Sequence, residues 1–368
     1  MKALKIMIVM LILIMSVGAV CAAESISDDA MGDDSKEILE TVQEDITTDD
    51  SADILKTAQN DIYTAGDDSF TNLTDEIKSK DVVDLTHDYK FNNESDDNSG
   101  IVIGKDNFVL NGNGRTIDGK NQSRIFNITA NNVTLSNLIL TGGNAEKGGA
   151  IYTTGLLTLN NVTFIDNYAS KNGGAVALYD DVTLNCNNSK FIDNYAGEGG
   201  SAIVNAKGEV NLYNSYITSK VYSKGGQVMG STGARFYLEN ITFANTTATY
   251  APAIYLVGSK IRIIDSKFIN LKANLTAGAM SIREGGELYI RNCEFINTTS
   301  SRNAGAIYAD ITGYNPGNEG NATIIDSKFK DVSSGFGGAY VQLGGQFWIS
   351  NSEFTNSHAA FNGGAIYL

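Results

Sequence analysis

Residues 157–177 read LTLNNVTFIDNYASKNGGAVA, and residues 183–203 read TLNCNNSKFIDNYAGEGGSAI. Leu157 and Leu159 lie four and two positions before Asn161, and Phe164 lies three after it. Apolar spacing of two marks a strand with one buried face. Around Asn188 the same places hold Leu184, Cys186, Ser189 and Phe191, so the inward alternation resumes at +1 and +3 beyond the Asn. Asn161 and Asn188 therefore stand at a corner between two short strands. Gly173-Gly174 then opens a third strand, with Val176 pointing inward. Three strands in about 26 residues predict one triangular coil of a right-handed parallel β-helix.

Outward from this unit the pattern persists. The anchors are Asn137, Asn161, Asn188, Asn214, Asn240, Asp265, Asn292, Asp326 and Asn351, at steps of 24, 27, 26, 26, 25, 27, 34 and 25 residues. A Gly-Gly-Ala-Ile-Tyr marker or a relative of it stays in phase at 148–152, 173–177, 199–203, 304–308, 337–341 and 363–367. Two markers in phase over nine units define an all-β repeat of about ten coils. A helical solenoid is excluded, because the apolar period is two rather than 3.6 and glycine pairs interrupt each unit. Stacked corner Asn side chains can bond to one another and tolerate a left-handed backbone. The corner Asn are expected to form a buried ladder, and the +3 phenylalanines an internal column.

The ends differ from the body. Lys2 and Lys5 precede the apolar run Ile6–Val20 and the small residues at 21–23, which reads as an export signal over 1–23. Residues 24–70 carry −13 of the formal −15, so 24–68 reads as an acidic disordered linker. Residues 69–100 are expected to cap the array, with Phe70, Leu73 and Ile77 on one face of a short helix and Val82-Val83-Asp84-Leu85 as a strand. Repeats fill 101–368. Because the sequence stops at Leu368 inside a new coil, a truncated array with a missing anchor is expected.

Catalytic chemistry finds little support. Glycoside hydrolysis needs two carboxylates facing one site. Asp180-Asp181 reads as a solvated turn, and Asp166 and Asp193 as surface copies of one repeat position. His87 and His358 are far apart, and Arg235, Arg262, Arg283, Arg291 and Arg302 share no coil position. Cys186 and Cys293 occupy different repeat positions four coils apart, which is too far for a disulfide. No catalytic residue, metal ligand or cofactor is assigned. The acidity opposes nucleic-acid binding.

The Gly-Gly-Ala-Ile marker with Phe164-Ile165-Asp166-Asn167 and Phe191-Ile192-Asp193-Asn194 resembles the repeats of polymorphic outer membrane proteins. The entry Val109–Gly119, followed by Arg124–Ile128, resembles adhesin-like surface proteins of methanogenic archaea. This resemblance covers roughly 70–368 and implies a pectin-lyase-like β-helix in contact with host or neighbouring cells. The Phe-x-x-Asn element decays after its second copy, which departs from the bacterial pattern. The function implied is a secreted or cell-surface adhesin-like protein that attaches to a cell-surface glycan or protein without catalysis. A polysaccharide-active lyase or glycosidase of the same fold is the alternative. Membrane contact is expected only through a missing anchor or an uncleaved signal.

Binding candidates follow from position. The outward place of the Gly-Gly strand gives Tyr152, Ala177, Ile203, Met229, Tyr255, Ser281, Tyr308, Val341 and Tyr367, whose tyrosines suit stacking on sugars or a partner surface, although cover by the neighbouring loops is the favoured expectation. Tyr314 lies in the insertion that causes the 34-residue step. Of twelve Asn-x-Ser/Thr sequons, Asn121, Asn245, Asn274 and Asn297 are candidate glycosylation sites, while those at Asn161 and Asn240 are expected to be buried in the ladder.

Overall fold

The computed structural model describes residues 68–231, 233–313 and 320–368. The first two expected segments, 1–23 and nearly all of 24–68, lie outside the described residues. From Asp68 the chain forms an all-β parallel solenoid of about 11 turns. All named strand pairs are parallel and join one coil to the next, as in Leu157↔Leu184 and Phe164↔Phe191. Among the described residues, first and second strands belong to one sheet of 22 strands, and Gly-Gly strands form a sheet of 11; a third sheet has three. The count exceeds the expected ten because Val82–Asp84, assigned to the cap, pairs with Val109–Asn111 and is itself a rung.

The cap is a helix, Phe70–Ser79. The Ser69 side chain accepts from the Asn72 amide at its N-terminus. Asp96 accepts from the amides of Phe70 and Thr71, and against burial the Thr71 hydroxyl, then the Asn92 amide and these two amides, hold its carboxyl below the usual range. Phe70, Leu73 and Ile77 are buried over the end of the core, as their spacing implies. Among the described residues no helix is long and apolar enough to cross a membrane.

Inside, the +3 column forms in register. Ring centroids lie 4.8 Å apart for Phe164–Phe191, 5.2 Å for Phe243–Phe268, 4.5 Å for Phe268–Phe295, 4.7 Å for Phe295–Phe329 and 4.8 Å for Phe329–Phe354. Ile217 interrupts the file between Phe191 and Phe243. Each buried phenylalanine contributes about 1.5–3 kcal/mol by burial.

All nine anchors have left-handed φ, from 48° at Asn214 to 56° at Asn240. Asn161 Nδ2 donates to Asn137 Oδ1 (2.9 Å), and Asn240 Nδ2 donates to Asn214 Oδ1 (2.8 Å). The ladder is segmented. Asp265 and Asp326 accept from Asn292 and Asn351, but a carboxylate has no donor to pass down to Asn240 or Asn292. It is also not buried: Asn161 and Asn240 are exposed, because this corner turns outward at the left-handed residue.

Five residues on, a second corner repeats the device. Asp166, Asp193, Asn245, Asn270, Asn297, Asp331 and Asn356 all have left-handed φ. Asn270 donates to Asn245 (3.1 Å), Asn297 to Asn270 (2.9 Å) and Asn356 to Asp331 (2.9 Å). Next to it, Asn167 and Asn194 of Phe-x-x-Asn are buried. Asn167 accepts from the Gly143 amide and donates to the Leu140 carbonyl, and Asn194 donates to the Phe164 carbonyl. Where the motif decays, Thr246 closes the turn by donating to the Ala244 carbonyl.

The Gly-Gly marker has a steric cause. Its first place is left-handed, at Gly148, Gly173, Gly337 and Gly363, and also where Ala277 and Ala304 replace glycine. At its second place a Cβ on Gly305 would stand 2.1 Å from the Gly338 carbonyl oxygen of the next coil. The coils touch there through backbone alone.

Charges on the outside pair between coils. Lys267 pairs with Glu294 (3.3 Å), and Lys328 and Glu353 continue that register. Likewise Arg235 reaches Glu209 (3.3 Å) and Lys260 reaches Glu287 (2.6 Å).

Candidate functional site

The outward places of the first strand gather aromatic and cationic side chains in register. Three residues before each anchor, parallel pairing places Asn211, Tyr237, Arg262, Tyr289, Thr323 and Trp348 in one file. Successive members are about 4.8 Å apart along the axis. Trp348 is 65% exposed. A parallel file holds Glu209, Arg235, Lys260 and Glu287, and another holds Tyr213, Glu239, Ile264 and Arg291. Strand alternation puts all of these on one flank, since Leu238, Ile263 and Ile290 between them point into the core.

Side-chain geometry shapes this face into a shallow groove lined by Arg235, Lys260, Arg262, Glu287, Tyr289 and Thr323. The Arg262 guanidinium carbon lies 4.1 Å from the Tyr289 ring centroid. Tyr213 and Tyr237 meet at 5.6 Å with rings tilted by 48°. Tyr237 donates to Glu239 Oε2 (2.8 Å), and that bond, with burial and the Glu239 charge, pushes its phenol above the ordinary range. The Asn211 amide, then Arg235, hold Glu209 below its usual range. The display is legible only after anchors are aligned and the −3 places read downward. Within any single repeat Tyr237 or Tyr289 is one ordinary solvent-facing residue.

The tyrosine row on the Gly-Gly strand turns out differently. Pairing aligns Tyr152, Ala177, Val204, Met229, Tyr255, Ser281, Tyr308, Val341 and Tyr367. Ile203 is therefore an inward residue, and Val204 takes the outward place expected of it, because that coil's glycine pair is one residue out of step. Tyr308 is only 7% exposed, packed with Ala304 of its own coil and with Ala277 and Val341 of the coils on either side. Tyr255 is half-buried and accepts from Arg283 (3.3 Å), while Tyr152 stacks on Tyr179 at 5.4 Å beneath Arg124. Tyr367 is 38% exposed. These tyrosines share a register without forming an open stacking ladder. Tyr314 lies outside the described residues.

Among the sequons, Asn121 is exposed at a left-handed turn. The Asn274 amide donates to the Tyr222 hydroxyl (3.2 Å), and Asn245 and Asn297 are rungs of the second ladder. Asp166 and Asp193 are consecutive members of that second corner. Partial burial, then the Asp193 charge, raises the Asp166 carboxyl above the usual range. Asp193 Oδ1 accepts from the Lys220 amide (2.6 Å). Asp180 and Asp181 are exposed in a turn. His87 contacts Asp68 at the cap (2.6 Å), and His358 lies in the last coil described. Burial pushes both Cys186 and Cys293 thiols up to about 12. Among the described residues, no three His, Cys, Asp or Glu side chains converge as metal ligands.

Comparison with known proteins gives one match at the level of the repeat. The Chlamydia polymorphic membrane protein (Chlamydia_PMP) repeat matches residues 161–178, which run from the Asn161 corner through Phe-x-x-Asn to the Gly-Gly strand. Among solved structures, the A-module of the mannuronan C-5 epimerase AlgE6 of Azotobacter vinelandii is similar over 80% of this chain and 98% of that one, at 12% identity and a TM-score of 0.37. The surface protein and adhesin PfbA of Streptococcus pneumoniae is similar over 84% of this chain and 99% of that one, at 12% identity and a TM-score of 0.35. No curated protein matches the sequence. What these comparisons establish is a coil of the Chlamydia-type repeat at residues 161–178.

Proposed function

We propose that this chain is a non-catalytic, adhesin-like protein of the cell surface or secreted space, which attaches to a glycan or protein of other cells through the outer flank of its first strands. The observation that carries this reading is the outward file Tyr237–Arg262–Tyr289–Thr323–Trp348, half-buried except for the exposed Trp348 and held in register by five consecutive coils. Aromatic rings fixed on a rigid sheet bind at low conformational cost, and a solenoid offers such a surface along its length. The export signal read over 1–23 and the repeat matched at 161–178 support a surface location.

The alternative is a polysaccharide-active enzyme, and the raised carboxyl of Asp166 beside Asp193 is the observation in its favour. That pair also fits the second corner, where Asn occupies the same place in other coils. Attachment of the purified chain to cells and to a glycan panel, repeated with Tyr237→Ala/Tyr289→Ala, tests the binding reading; loss of attachment is expected. Cleavage products from any glycan, abolished by Asp166→Asn, would overturn it in favour of the enzyme.

A further inference from the structure

Resting on that reading, we infer that the ligand of this face is an acidic polysaccharide, lying along the solenoid axis with an anionic group on Arg262. Three features of the groove converge on this. Arg235 and Lys260 are direct cross-coil neighbours, and Arg262 lies two residues beyond Lys260 on the same flank, so three cations meet on a chain of formal charge −15. Like charges directly opposite each other cost stability. Arg235 and Lys260 are each offset by a carboxylate, Glu209 and Glu287. Arg262 has no carboxylate within ion-pairing distance among the described residues; its neighbour is the Tyr289 ring.

That contact settles how Arg262 can act. A guanidinium stacked on an aromatic face keeps its planar N–H fork, and the fork is the geometry that grips a carboxylate or sulfate through two bonds. The aromatic members Tyr237, Tyr289 and Trp348 recur every second coil, a spacing of about 10 Å. That is the length of a disaccharide in an extended, equatorially linked polysaccharide. A chain on the axis would set alternate sugars against successive rings, with Arg262 between the first two. A peptide fits less well, because the first-strand backbone is already paired on both sides and leaves no edge for strand addition.

The test uses the full chain and three forms of one β-1,4-glucan: unmodified, carboxymethylated and sulfated. Both acidic forms are expected to bind more tightly than the neutral one and to weaken with salt. Arg262→Gln is expected to lose at least about tenfold in affinity for them, and Arg262→Lys to fall between. Lys267→Gln/Lys328→Gln, which removes cations from the other flank, should change nothing. Equal binding of the neutral glucan, equal loss in the Lys267/Lys328 variant, or no binding of either acidic form overturns the inference. If cell attachment is lost in Tyr237→Ala/Tyr289→Ala but kept in Arg262→Gln, the face stands and the acidic ligand falls. If attachment survives all of these variants, the face itself is wrong. Circular dichroism and thermal unfolding check that each variant is folded.

Discussion

Asn161 hands its amide to Asn137 across 2.9 Å, so the outer corner of one coil is tied to the corner of the coil before it. Among the described residues, the side chain of Asn188, the next anchor, joins no such rung; Asn214 donates to Asn187 instead (2.9 Å). Anchors that look alike in sequence therefore differ in consequence. Asn161→Asp removes a donor and sets a carboxylate beside the Asn137 oxygen, with an expected loss of about 1–2 kcal/mol. Asn188→Asp should cost less than about 0.5 kcal/mol. Urea midpoints of the two variants, with unchanged slopes, measure the difference, and equal losses would show that the rung carries no weight.

Gly305 and Ala304 make a second pair of contrasting substitutions. Ala at 305 drives a methyl into the Gly338 carbonyl and is expected to cost at least about 3 kcal/mol or to prevent folding. Ala304 already holds a φ of 59°, where glycine is relaxed. Ala304→Gly loses a small buried methyl but relieves that strain, and should stay within about 1 kcal/mol of the parent. Thermal unfolding separates the two.

For Asp166 the sign follows from its raised carboxyl. The folded state holds the proton to higher pH than the unfolded chain does, so this residue lowers stability above its folded titration range and stops doing so as pH falls through it. Asp166→Asn should be more stable than the parent at pH 7, by roughly one hydrogen bond, about 0.5–1.5 kcal/mol, if its amide donates within the corner as Asn270 does. The gain should shrink towards acid pH. A gain that is constant from pH 7 to 4 would contradict this account.

Cys186 and Cys293 should be silent in the native protein. With thiols pushed up to about 12 by burial, neither supplies thiolate near neutrality. Reaction of these two with a thiol reagent at pH 8 is expected only as fast as coils open, and both should react at once in guanidinium chloride. Rapid native labelling at either site would show a looser core there.

Much of the solenoid can be read from residue order because parallel in-register stacking writes structure into period. Leu157, Leu159 and Phe164 announce their strands, and the Gly-Gly pair announces its turn. The second corner is harder to see, since Asp166, Asp193, Asn245 and Asn297 mix with Asn167 and Asn194, whose inward role is different. Asn161 and Asn240 are exposed although their ladder places suggest burial, because a polar ladder works equally well at a solvent-facing bend. The Gly-Gly tyrosines share a register, and the burial of Tyr308 agrees with the expected cover. Outward from a strand is not outward from the molecule when Ala277, Ala304 and Val341 close over Tyr308. The Tyr237–Arg262–Tyr289–Thr323–Trp348 file needs the register of five coils before any one member has meaning.

The alternation Lys267–Glu294–Lys328–Glu353 bears on how such a chain can grow. A gene that copies a single coil sets lysine on lysine or glutamate on glutamate, and the newborn coil repels its parent until a further mutation reverses one sign. Copying two coils together preserves the beat at once. Lengthening by doublets is therefore the easier evolutionary route for this flank, and lineages that vary in length should differ more often by even numbers of coils.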